Sequence, residues 1–205
     1  MNRHISDLTE RIPALKETAD DIERTFAMMR DCYRAGGKVM ICGNGGSAAD
    51  AEHCAGELMK GFRSKRPLSD KARKGLDADV ARHLQGALPT IPLTGFLSLG
   101  SAFANDVDPQ YTIAQMVWGL GRENDALIGI STSGKAKNII HALNTAKALG
   151  MKTIALTGRD GGRMIDIADV SIRTPETITH LVQELHVPVY HCISLMLEEE
   201  FFPGM

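Results

Sequence analysis

The stretch that most constrains the fold joins a short apolar segment, residues 38–42, to a glycine-rich turn, residues 43–47, and a helical pattern that reaches residue 62. Glycine carries no Cβ and adopts positive φ, so this turn lets the backbone approach a ligand closely. In open α/β sheets, ligands bind beyond the carboxyl ends of the strands. The segment therefore predicts a parallel sheet with a binding site at the glycine loop, residues 43–47.

The same alternation of apolar strands and amphipathic helices continues along the chain. A helical N-terminal segment, residues 1–35, is interrupted by Pro13. Later strands are predicted over residues 90–94, 125–130, 153–156 and 170–173, with helices over 97–104, 111–120, 136–149 and 178–200. We place Asn105 and Asp106 in a loop. We predict one α/β domain, residues 1–205, in which helices flank an open doubly wound parallel sheet.

Composition excludes several classes of protein. The 205 residues carry a formal net charge of −2, which argues against a nucleic-acid partner. No apolar run reaches bilayer length and no signal-peptide pattern is present, so we expect a soluble, cytoplasmic protein without a membrane partner. The cysteines lack metal-finger spacing and are predicted to pack as small apolar side chains in a reducing compartment. They are Cys32, Cys42, Cys54 and Cys192.

Residues 63–88 begin with a basic run and contain one modest helical pattern, over residues 76–88. A run of charges usually forms a solvated face. We therefore interpret this stretch as a surface excursion between the helix and the next strand.

Two strand-to-helix turns carry groups that bind anions. The glycine loop lies at the N-terminus of a helix, and the hydroxyl loop, residues 131–133, places Ser-Thr-Ser at a second strand end. Hydroxyl and amide donors suit the phosphate monoester of a small sugar. Alternatively, these Ser and Thr residues are only N-caps. Both turns in one parallel-sheet chain favour ligand binding.

The glycine loop also fits a dinucleotide fingerprint, because Gly43, Gly45 and Ala48 have GxGxxA spacing. That fingerprint needs an acidic residue about twenty positions later, at the end of a strand. Residues 63–66 are basic and follow no predicted strand. A 2′-phosphate would tolerate basic residues, so NADP stays open, but it gives the hydroxyl loop no role.

Four side chains on two helices have the chemistry of a metal or acid–base site. His53 and Glu57 lie four residues apart and share one helix face. Gln183 and His191 lie eight apart on the terminal helix, where Pro188 predicts a kink. Together they could bind one divalent ion, although a Gln amide is an unusual zinc ligand, or transfer protons directly.

Each of these residues also has a plainer explanation. His53 fits a hydrogen-bonded core histidine, Glu57 a surface carboxylate, and Gln183 an amide bonded to a loop. Spacing alone does not exclude Glu184 and His186 in their place.

Motifs in order along the chain carry a family resemblance. They are the glycine loop with Asp50, His53 and Glu57, then residues 104–106, 129–134 and 155–158, and finally residues 182–186 with His191. This set resembles the sugar isomerase (SIS) domain family, and within it the phosphoheptose isomerases. The resemblance implies a flavodoxin-like three-layer sandwich. It also implies conversion of sedoheptulose 7-phosphate to D-glycero-D-manno-heptose 7-phosphate, the first step of ADP- or GDP-heptose biosynthesis.

The resemblance further implies roles for individual residues. Glu57 and His191 match the proton-transfer pair. One zinc ion per subunit is implied, with the ligands His53, Glu57, Gln183 and His191. Substrate contacts are implied at Asn44, Gly45, Gly46, Ser47, Glu57, Asn105, Asp106, Ser131, Thr132, Ser133 and Gln183. Family members form homotetramers with shared active sites, so the terminal helix is expected to complete a partner's site.

Two departures from the family concern the substrate. Ala136 stands where the phosphate clamp usually has a further Ser, which weakens phosphate binding by about 1 kcal/mol unless Lys135 or Lys137 compensates. Residues 68–88 are an insertion near the predicted site. Two other functions stay open: an adaptor that binds a replication initiator, whose members tend to lack the Glu and His retained here, and a sugar-phosphate-sensing module.

Overall fold

The computed structural model describes residues 2–203, which contain a parallel sheet of five strands. The strands are β1 (Val39–Cys42), β2 (Thr90–Pro92), β3 (Ala126–Ser131), β4 (Lys152–Thr157) and β5 (Val170–Arg173). Their order across the sheet is β2-β1-β3-β4-β5, with parallel pairing throughout. This is the flavodoxin-like order, which opens a crevice at the carboxyl ends of β1 and β3. The predicted fold class is confirmed.

Helices cover both faces of this sheet. They are α1 (Arg3–Arg11), α2 (Ala19–Arg34), α3 (Gly46–Met59), α4 (Asp70–Arg73), α5 (Ala78–His83), α6 (Leu97–Asp106), α7 (Thr112–Leu120), α8 (Lys137–Ala148) and α9 (Thr179–Phe201). Pro13 opens a short 3₁₀ helix (Pro13–Thr18) between α1 and α2, as the interrupted pattern predicted. Further 3₁₀ turns span Pro109–Tyr111 and Gly162–Asp166. Helix α9 continues through Pro188.

The strands supply a core on each side of the sheet. In β1, Val39 and Ile41 face the layer formed by α1, α2, α3 and α9, whereas Met40 and Cys42 face α7 and α8. Every residue of β1 and β3 is buried, as expected for parallel strands covered on both faces. The four cysteines are free and buried, which confirms their predicted packing role. Within residues 2–203, no helix combines the length and apolar character needed to span a membrane.

The predicted loop position of Asn105 and Asp106 is wrong, because α6 extends through both residues. Asn and Asp are weak helix formers, which is why the sequence predicted an earlier end. The amide of Val107 still bonds to the carbonyl of Phe103, so the helical hydrogen-bond ladder includes them.

The prediction that the basic run is a solvated face is wrong at Arg66, whose side chain is fully buried. Its Nε lies 2.6 Å from Oε1 of Glu198, and its other nitrogens donate to the carbonyls of Leu58 and Glu57. Burial alone would raise the pKa of Glu198. Donors that include the amide of Phe62 and the Arg66 guanidinium instead lower that pKa below its ordinary value.

Residues 68–88 form two short helices, α4 and α5, where the pattern predicted one. Ser69 and Asp77 cap them, because each side chain accepts an amide hydrogen of the first helical turn. The excursion closes where the amide of Gly86 donates to the carbonyl of Arg66. A Cβ on Gly86 would lie 2.3 Å from the Phe202 ring, so the excursion lies against the end of α9.

Candidate active site

The glycine loop turns the chain from β1 directly into α3. Gly45 has φ 54°, and a Cβ on Gly43 would lie 2.3 Å from the carbonyl oxygen of Ser47. Both positions therefore need glycine. Ser47 is buried, whereas Asn44, Gly45 and Gly46 are exposed. The loop thus presents open backbone at the positive end of the α3 dipole.

The hydroxyl loop lies at the end of the neighbouring strand β3, across the crevice. Ser131 is buried, and exposure increases through Thr132 to Ser133. The carbonyl of Thr132 accepts the amide hydrogen of Gly158 at 3.0 Å, which fixes the loop to the end of β4. A Cβ on Gly134, which has φ 62°, would lie 1.9 Å from the carbonyl oxygen of Gly161. This loop is therefore held rigidly by its neighbours.

Asn138 in the first turn of α8 connects the two loops. Its Nδ2 donates to Oδ1 of Asn44 at 2.8 Å, and Nδ2 of Asn44 donates back at 3.0 Å. This reciprocal pair bridges the crevice. Sequence analysis missed Asn138, because a polar residue in a first helical turn is ordinary.

Helices α3 and α9 bring three of the predicted donors into contact. Nε2 of His53 lies 3.4 Å from Oε1 of Glu57 and 3.4 Å from Nε2 of His191. The fourth donor, Gln183, lies against the glycine loop, since a Cβ on Gly46 would be 2.6 Å from its Nε2. All four donors belong to one chain, and α9 meets α3 without a partner.

These separations can be compared with a zinc site. Ligand atoms bound tetrahedrally at about 2.1 Å from zinc lie about 3.4 Å from one another, which matches both distances at His53. Among residues 2–203, no group of three or more His, Cys, Asp or Glu side chains is placed so that it could hold a metal ion. His53, Glu57 and His191 are of the types that bind zinc, and the two separations at His53 match such a site, whereas Gln183 contacts the glycine loop.

The surroundings of the cluster suit acid–base chemistry. Burial is the main cause that lowers the pKa of His191, and the neighbouring His53 lowers it further. The neutral form of His191 therefore persists to lower pH. Nζ of Lys60 lies 3.3 Å from Oε2 of Glu57. The Phe62 ring lies 5.2 Å from the His191 ring. A neutral imidazole and a carboxylate beside a cation can accept and return protons.

Tyr190 is a second residue that sequence analysis missed. Its hydroxyl lies 2.8 Å from Nδ1 of His53 and 3.4 Å from Oδ1 of Asp50. Because Tyr190 directly precedes His191 on α9, it points about 100° away and its sequence position indicates a core residue. Only the packing of α9 on α3 reveals the contact.

Asn105 and Asp106 lie apart from this cluster. Nδ2 of Asn105 donates to Oδ1 of Asp106 at 2.9 Å, and both side chains are exposed. In the described part of the chain, no hydrogen bond joins them to α3 or α9, and α6 has no buried residue. This portion of the predicted site is not assembled within one chain.

Comparison with known proteins identifies the family. The model of the SIS domain matches residues 3–158. The chain belongs to the SIS-domain family. Within it, the chain groups with the phosphoheptose isomerases: that of Akkermansia muciniphila is 34% identical over 204 residues, spanning 100% of this chain and 98% of the relative. That of Yersinia pestis is 40% identical over 182 residues, spanning 88% and 84%.

A solved SIS-domain structure agrees with the sequence comparison. The structure of a phosphoheptose isomerase from Francisella tularensis matches with a TM-score of 0.77 at 32% identity, covering 95% of each chain.

The geometry of the chain removes support for NADP binding, because Arg66 is paired in the interior with Glu198. Residues 63–66 follow helix α3 and not a strand, so they do not stand at the strand end where the fingerprint has its ribose contact.

Proposed function

We propose that this SIS-domain chain interconverts sedoheptulose 7-phosphate and D-glycero-D-manno-heptose 7-phosphate. The observation that carries the proposal is the meeting of Glu57 and His191 at His53, beside two anion-binding loops. Relatives at 34–40% identity carry the name phosphoheptose isomerase, which supports this substrate.

The two loops divide the substrate between them. The phosphate binds at the hydroxyl loop together with Ser47, where hydroxyls and the N-termini of α3 and α8 offer donors. The exposed Lys135 and Lys137 flank Ala136 and supply positive charge where a hydroxyl is missing. The sugar lies along Asn44, Gly45 and Gly46, with Gln183 beside them.

Isomerisation moves a proton between C1 and C2 of the substrate through an enediol. Glu57 and His191 form the pair that transfers this proton. One member removes the proton from C1 while the carbonyl oxygen at C2 takes up a proton, which gives the enediol. The enediol is then protonated at C2 as the hydroxyl at C1 loses its proton, so the enzyme returns to its starting protonation state. The lowered pKa of His191 favours the neutral imidazole, which is the form that can accept a proton or bind a metal ion.

We further propose that His53, Glu57, Gln183 and His191 bind one zinc ion per subunit. When bound, the ion would polarise the substrate oxygens at C1 and C2. The two 3.4 Å separations and the donor types support this assignment. The second carboxylate oxygen of Glu57 accepts a hydrogen bond from Nζ of Lys60 at 3.3 Å, and in this arrangement it would be the oxygen that faces the substrate.

We also propose a cytoplasmic homotetramer with shared active sites. Free, buried cysteines suit a reducing compartment. Helices α6 and α7, with the residue that directly follows α6, expose apolar side chains that a second subunit would cover: Leu97 is 83% exposed, Val107 65% and Trp118 61%. Since Asn105 lies on the same helix as Leu97, a neighbouring subunit on this face would complete the substrate site.

The direct test is an isomerase assay on ketose phosphates of five, six and seven carbons, with metal content measured on the same protein. We expect the seven-carbon substrate to be preferred, with about one zinc per subunit. Glu57→Gln and His191→Ala should each abolish turnover while thermal unfolding stays close to wild type. Glu52→Gln, an exposed change on the same helix, is the matched control and should keep full activity.

Two outcomes would contradict the proposal. Wild-type protein that converts none of these ketose phosphates would favour the adaptor or sensing alternatives. Glu57→Gln protein with wild-type turnover would show that the proton-transfer pair lies elsewhere.

A further inference from the structure

We propose that Tyr190, acting with Asp50, is a positioning residue that fixes the ring of His53 so that its Nε2 faces the candidate metal site. The inference rests on the proposed role of His53 as a zinc ligand. Tyr190 itself touches neither Glu57 nor His53 Nε2; it acts through the opposite ring nitrogen, Nδ1.

The ring of His53 needs such an anchor. Its side chain is 44% exposed, so packing alone leaves it room to turn. Tyr190, by contrast, is buried, and its ring meets that of His53 edge-on at a centroid distance of 5.3 Å. The 2.8 Å contact between Oη and Nδ1 therefore joins a partly exposed ring to a buried one.

The proton positions along this chain follow from the chemistry of the groups. The carboxylate of Asp50 can only accept, so the Tyr190 hydroxyl must donate its hydrogen across the 3.4 Å contact. The Tyr190 oxygen then accepts the hydrogen on Nδ1 of His53. This tautomer leaves a lone pair on Nε2, the form that binds a metal ion.

The direction of that lone pair matches the rest of the site. Nε2 is the atom that lies 3.4 Å from both Glu57 and His191. The hydrogen-bond chain from Asp50 through Tyr190 thus sets the tautomer and the orientation together. In metalloenzymes, loss of such an outer partner typically weakens metal binding ten- to a hundredfold.

The test is Tyr190→Phe, which keeps the ring and removes only the hydroxyl. Metal-free protein is titrated with Zn²⁺ against a chromophoric chelator, and we expect zinc affinity to fall ten- to a hundredfold. Tyr33→Phe is the matched control, since it also removes a buried tyrosine hydroxyl, bonded to Thr90 at 2.9 Å, away from the cluster. It should leave zinc affinity unchanged.

A double-mutant cycle tests the hydrogen-bond chain from Asp50 through Tyr190 to His53. Asp50→Asn should weaken zinc binding in the wild-type background, and should add nothing once Tyr190→Phe is present, because Asp50 acts through the hydroxyl. Wild-type zinc affinity in Tyr190→Phe would overturn the inference, as would an additive effect of Asp50→Asn. A wild-type protein that binds no zinc would instead overturn the metal site on which the inference rests.

Discussion

The two sides of the candidate site are built in different ways. On the α3–α9 side, His53 contacts Glu57 and His191 through a helix pair that is locked by the buried Arg66–Glu198 ion pair. On the α6 side, Asn105 and Asp106 lie on a helix with no buried residue. The chain's own interior holds together the groups that we propose for proton transfer and metal binding. The substrate contacts proposed at Asn105 and Asp106 are left exposed on the surface of the chain.

The α3–α9 side should respond most strongly to loss of Arg66. Arg66→Met leaves Glu198 buried without its partner and frees the last carbonyls of α3, so the free energy of unfolding should fall by about 3–5 kcal/mol in urea denaturation. Arg63→Met, an exposed change in the same loop, should stay within about 0.5 kcal/mol of wild type. A loss below about 1 kcal/mol for Arg66→Met would show that the ion pair is not what holds α3 against α9.

The same pair predicts a pH dependence. Because the folded pKa of Glu198 is lowered, the stability that the pair contributes is present above the ordinary carboxyl pKa. It is lost as the pH falls through the lowered value. Glu198→Gln should therefore flatten this part of the acid limb in unfolding measurements, in addition to lowering stability at neutral pH.

Alanine substitutions at two glycines of α3, Gly46 and Gly56, should have opposite effects: one should disturb the site and the other should only stabilise the helix. A Cβ on Gly46 would meet the Gln183 amide at 2.6 Å, whereas a Cβ on Gly56 meets nothing within 4 Å. Gly46→Ala should displace Gln183 at a cost of about 1–3 kcal/mol, seen as weaker zinc binding and lower kcat/KM. Gly56→Ala should instead raise the free energy of unfolding by about 1 kcal/mol and leave activity intact.

Equal activity in the two alanine variants would show that Gln183 does not need its place against the glycine loop. If Gly46→Ala lost stability and kept zinc affinity, the clash would be absorbed by α3 and not by the Gln183 side chain. Either result would weaken the contrast between a preorganised and an open side of the site.

Much of this contrast was visible in the sequence, for local reasons. The strands and the glycine loop follow from short-range patterns, and His53 and Glu57 share a face through their spacing. The partners of those residues are long-range. Tyr190 meets His53 across 137 positions, and Glu198 meets Arg66 across 132. The periodicity of a helix or strand does not indicate contacts between elements that far apart in sequence. The sequence analysis therefore missed both the Tyr190–His53 contact and the Arg66–Glu198 ion pair.

The smallest effect on the subunit itself should come from the α6–α7 side. Leu97→Glu and Trp118→Glu change exposed positions, so the unfolding of the isolated subunit should shift by no more than about 0.5 kcal/mol. Both should nevertheless lower the molecular mass of the assembled protein, as measured by light scattering, and reduce isomerase activity. The reason is that a charge on the α6–α7 face would oppose contact with a second subunit. Val80→Glu, at an exposed position of α5, is the matched control and should change neither the assembled mass nor the activity.

If Leu97→Glu and Trp118→Glu both stay assembled and active, α6 is not the face that a partner covers. Asn105 and Asp106 would then have to reach the substrate by a movement of α6 within its own chain.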